Sequence, residues 1–77
     1  MDIDDKARAA RGFRSLAHTL TVAATTARHR DNLLSHADAL TRIADTLDDG
    51  TTPPPSVVRL WGLMFNSALA LLNEEAL

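Results

Sequence analysis

Apolar residues recur along this chain at the three- and four-residue spacing of a helix, on both sides of one interruption. Placed at about 100° per residue, Ala9, Phe13, Leu16, Leu20, Ala23 and Ala27 fall on one face, opposite Arg8, Arg11, Arg14 and His18. From Leu33 onward the apolar set is Leu33, Ala37, Leu40, Ile43, Ala44 and Leu47, facing away from Asp31, Ser35, Asp38, Arg42 and Asp45. Both segments therefore read as amphipathic helices, each with one side to bury.

The interruption is Asp48-Asp49-Gly50-Thr51-Thr52-Pro53-Pro54-Pro55-Ser56. Proline cannot continue a helix and disfavours the helical conformation in the residue before it, so helix stops by about Asp49 and restarts near Ser56. Gly50 suits the left-handed residue that follows a helix end, and Ser56 is expected to cap the next helix. A second break is expected in the polar run Arg28-His29-Arg30-Asp31-Asn32, where the apolar register slips by one residue and Asp31 or Asn32 suits an N-cap. The expected helices lie near residues 4–29, 32–48 and 57–74, joined by a Gly/Thr/Pro turn over 49–56. The pattern also admits one long helix over residues 4–48.

The third segment differs in kind. Val57, Val58, Leu60, Trp61, Met64, Phe65, Ala68, Leu69, Leu71 and Leu72 cover about half its circumference, wider than the ~100° stripe of an ordinary surface helix. It needs cover on more than one side. The expected fold is all-α: a small antiparallel bundle of three helices, or a hairpin of one long helix and a C-terminal one. The C-terminal helix is expected at its centre, and the whole is expected to dimerise. Gly62, Asn66 and Ala70, four residues apart, mark a strip of small residues where another helix can approach.

Length and composition support that reading. With 77 residues and no cysteine, the chain has room for one domain and no disulfide to staple it. A chain this size buries only about 60% of its unfolded surface, so a second copy is a natural source of further burial. The absence of cysteine and of a signal-peptide pattern leads us to expect the cytoplasm. The stretch from Val57 to Leu72 contains Arg59, Asn66 and Ser67 and is short for a span of about 20 residues, so no membrane span is expected.

Charge is uneven although the net value is only −2: Lys6 to Arg30 holds six basic side chains and no acid, whereas Asp31 to Gly50 holds five aspartates against Arg42. The basic face built from Arg8, Arg11, Arg14 and His18 is a candidate for contacting anions or a nucleic-acid backbone. No aromatic residue interleaves these cations for base stacking, since Phe13 belongs to the apolar face.

Catalytic chemistry finds little support. His18, His29 and His36 lack the three- or four-residue spacing that lets a helix present two ligands to one metal, and no metal is expected. Ser15, Ser35, Ser56 and Ser67 sit in no nucleophile motif, and the three glycines make no phosphate-cradling loop. The function expected from the residues is protein–protein interaction by a small regulator, without catalysis or cofactor. Trp61, Met64, Phe65, Leu69 and Leu72 are the expected interface, and the partner is another protein or a second copy. A small DNA-binding regulator using the basic face is the alternative.

Overall fold

The computed structural model describes residues 3–50 and 52–76, with side chains from Asp5 to Glu75 apart from residue 51. Three helices form a bundle: α1 (Ile3–Ala24), α2 (Arg30–Asp48) and α3 (Pro55–Ala76).

The first segment ends five residues sooner than its periodicity suggests. Thr25 and Thr26 donate their backbone N–H groups three residues back, to Val22 (3.2 Å) and Ala23 (3.3 Å), which tightens and closes the last turn. The Thr25 hydroxyl takes the Val22 carbonyl as well, at 2.8 Å. Earlier threonines behave differently: Thr19 and Thr21 bond the carbonyls of Ser15 and Ala17, four residues back, and so remain within the helix. The two long segments are thus separate helices, with the break ahead of Asp31.

Neither Asp31 nor Asn32 caps α2. His29 occupies the N-cap position without a side-chain bond, and its carbonyl accepts the Leu33 N–H at 3.1 Å. Asp31 lies in the first turn, where its charge complements the helix dipole. At the other end the Asp49 N–H bonds the Asp45 carbonyl, and Gly50 follows at φ +89°, the left-handed conformation that glycine adopts without steric cost. Ser56 is not the cap of α3 either. The Pro54 carbonyl receives the Val57 and Val58 N–H groups, and Pro55 takes the first helical position, where its fixed φ fits and no N–H is wanted.

The core belongs to α1 and α2. Leu33, Ala37, Leu40, Ile43, Ala44 and Leu47 are buried on α2, against Ala10, Leu16, Ala17, Leu20 and Ala24 on α1. The alanines explain the intimacy of this pair: Ala10, Ala17 and Ala24 recur every seven residues on α1, as do Ala37 and Ala44 on α2. Small side chains at that spacing let two helices approach closely. Ala9, Phe13, Ala23 and Ala27, the rest of the expected α1 face, are only partly buried.

The C-terminal helix is therefore peripheral rather than central. Among its described side chains, Pro55 to Glu75, only Ala68 is buried; Trp61, Met64, Phe65, Leu71 and Leu72 lean on the core half-covered. Phe65 meets Phe13 edge to face, with ring centroids 5.4 Å apart and planes at 87°. Aromatic and aliphatic side chains on α3 cannot enter the narrow seam that alanine creates between α1 and α2, so they rest on top of it.

Candidate interaction surfaces

Two surfaces follow from this arrangement, one basic and one apolar. On α1, Arg8, Arg11, Arg14 and His18 are all exposed. The fold commits Arg14 to α2: its guanidinium bonds Asp45 at 2.7 Å and also pairs with Asp48. The hydrogen bonds that Arg14 donates to Asp48 and then to Asp45 push its pKa above the ordinary value, so it stays charged and neutralised in place. Lys6 is likewise engaged, with Nζ donating to the Thr52 hydroxyl at 2.8 Å and the Gly50 carbonyl at 3.4 Å. Carboxylates thus stand inside the basic face, where they would repel a phosphate backbone.

The apolar surface is on α3. The five residues expected at an interface divide by their environment: Trp61, Met64, Phe65 and Leu72 are half-buried against the core, and Leu69 is 40% exposed. The side chains that point outward are Leu60 and Leu63, at 55% and 60% exposed. They border a shallow groove of about 340 Å³ between α2 and α3, lined also by Ser35, His36, Ala39, Met64 and Ser67. His36 is held at its rim by Nδ1–H donating to the Asn32 carbonyl at 2.8 Å. Periodicity grouped Leu60 with the inward residues, and Leu63 fell outside that half-circumference. A signal for both was present: Leu60, Leu63, Ser67 and Ala70 alternate three and four residues apart on their own.

One contact anchors α3 to the other two helices and was invisible in the sequence. The Glu75 carboxylate accepts the backbone N–H groups of Arg28 (3.0 Å) and His29 (3.2 Å), supplying from α3 the cap that α2 lacks locally. Glu75→Ala is expected to lower stability by about 1 kcal/mol, the usual cost of losing a helix cap. Amide hydrogen exchange should accelerate at Arg28 and His29, and unchanged protection there would show that α3 is not fastened by this contact.

Among the described residues, no group of three or more His, Asp and Glu side chains is placed to hold a metal, and no polar side chain is buried. Helix α3 from Pro55 to Glu75 is long and apolar enough to cross a membrane, on length and composition alone. The chain matches no protein-family model, no curated protein and no solved structure.

Proposed function

We propose that this protein works by binding, as a small helical interaction module or regulator whose outer α3 face docks onto another protein. In this reading α1 and α2 form an antiparallel hairpin, a rigid platform, and α3 is the element it presents. The observation that carries the proposal is the imbalance of α3: among its described side chains Ala68 alone is buried, with Leu60 and Leu63 facing solvent beside an open groove. Full burial of a leucine is worth about 1.5–3 kcal/mol, and a partner would supply the share that belongs to the exposed half of each side chain. The cysteine-free composition suits a reducing cytoplasm, where we place the module.

A protein suits this face better than lipid, because Arg59, Asn66, Asn73 and Glu74 are exposed along the same helix. The basic face of α1 is the weaker candidate, since Asp45 and Asp48 hold one of its three arginines. No catalytic step is part of the proposal, and it needs no cofactor.

The test uses a photo-crosslinking side chain at position 63, with the same group at exposed Val22 on α1 as control. Irradiation in a cell extract should yield a discrete protein adduct from position 63 and none from position 22. Equal or absent labelling at the two positions would sink the proposal, as would recovery of the chain with floated lipid vesicles in place of a protein adduct.

A further inference from the structure

We infer that the partner of the outer α3 face is a second copy of this chain, with the two α3 helices antiparallel about a two-fold axis at the level of Phe65. The inference rests on the reading that a protein covers this face. Its first support is spacing. Ser56, Leu60, Leu63, Ser67, Ala70 and Glu74 alternate four and three residues apart, the seam pattern by which one helix packs against another. Every member of the seam is exposed in the single chain. The intramolecular contacts of α3 centre on a different side of the helix, on Trp61, Met64, Phe65, Ala68 and Leu72, with Leu71 at the edge beside Leu60 and with Leu60, Leu63 and Ser67 bordering the groove toward α2.

Its second support is the order of large and small residues along the seam. A two-fold axis at Phe65 pairs positions equally far before and after it. Leu63 then lies over Ser67 of the second copy, and Leu60 over Ala70, so each bulky side chain meets a small one. A parallel pair would instead stack leucine on leucine at one end and leave Ser67 and Ala70 facing each other across a gap, a poorly filled interface.

Charge points the same way. Arg59 and Glu74 are exposed near opposite ends of α3. In the antiparallel register the two differ by three residues in level, about 4.5 Å along the axis, within reach of an arginine side chain. The parallel register sets Arg59 beside Arg59 and Glu74 beside Glu74, each a repulsion.

Area is the third support. The chain exposes 5196 Å². A folded monomer of 8.3 kDa exposes about 4,600 Å² by mass scaling. The surplus of about 600 Å² approaches the ~800 Å² that each partner hides in a standard interface. The outline is elongated, 37 × 19 × 16 Å, and the exposed seam of α3 is part of that surface.

The test begins with the molar mass of the full chain by light scattering across a concentration series. Twice the 8.3 kDa chain mass is expected, and Leu63→Glu should return it to 8.3 kDa at the same concentrations with its helical circular dichroism intact. The chain has no cysteine of its own, so the register is read by mixing Leu60→Cys with Ala70→Cys under a thiol redox buffer. The mixed disulfide should form in preference to either self-disulfide. Like positions in the antiparallel pair lie ten residues apart in level, about 15 Å, beyond the ~7 Å Cα separation a disulfide spans.

A single-chain mass at all concentrations overturns the inference, as does a dimer that survives Leu63→Glu. Preferred self-disulfides overturn the antiparallel register. A monomer that still crosslinks from position 63 to a different protein overturns the second copy alone and leaves the binding function standing. A monomer that crosslinks to no protein overturns both.

Discussion

Leu40→Ala is expected to destabilise the fold by about 3 kcal/mol, within the range for truncating a fully buried leucine. Leu40 is 1% exposed and lies in the same core as Leu20 and Leu33, both at 0%. The lost methyl groups leave a cavity that the neighbouring helices cannot close without breaking the alanine contacts on either side. A core of this size supplies only about 3–5 kcal/mol in total, so the variant should keep no more than about 2 kcal/mol and be marginally stable. Urea unfolding at one low protein concentration measures it, because association would otherwise add concentration-dependent stability. Leu63→Ala in the same series should stay within about 0.5 kcal/mol, its side chain being mostly in water already. Equal losses from the two would mean that α3 is packed far more deeply than the 60% exposure of Leu63 implies.

The second large effect comes from adding bulk rather than removing it. Ala44→Leu should also cost up to about 3 kcal/mol, the upper range for overpacking a filled interior. Ala44 is wholly buried on α2, in the core it shares with the alanines of α1. Alanine and leucine have nearly equal helix propensity, so a loss here reports the spacing between α1 and α2 and not the helix itself. The control is Ala7→Leu, at an exposed position of α1, where stability should be almost unchanged. Tolerance of leucine at both positions would show that α1 and α2 are loosely packed. That outcome would also remove the explanation for why α3 lies outside the core.

These two substitutions probe the part of the structure most legible in the sequence. The six apolar positions on the second segment, from Leu33 to Leu47, are the six buried residues of α2. Strong periodicity with a leucine or isoleucine at most turns leaves one choice of face, so the face follows from local pattern alone. Alanine carries no such instruction, since it is accepted in water and in a core alike. Ala10, Ala17 and Ala24 are buried, yet only their seven-residue recurrence separates them from exposed Ala7. The helix ends were also less legible than the helix bodies. The cap of α2 comes from Glu75, 46 residues from His29, and no local rule reaches that far.

The interaction surface follows the same division. A broad apolar circumference on the last segment indicated that it needed more cover than one neighbour provides. It did not indicate which part of that circumference would be used within the chain. Trp61 and Phe65 stand out as anchors in the sequence because they are large, but both are among the residues of α3 that rest half-buried on the core. Leu60 and Leu63, less conspicuous, are the ones left outward.

The sequence by itself determined that this protein is helical, where its proline turn falls, and which side of the second helix is buried. Those properties depend on backbone propensity and on residues three or four apart, information contained in any short window of the chain. Tertiary structure decided that alanine would bring α1 and α2 together, that α3 would therefore lie on their surface, and that Arg14 would be bound by Asp45 and Asp48. Each of those outcomes is a competition among distant surfaces for the same contact, and it is settled by shape and charge only when all three helices are present.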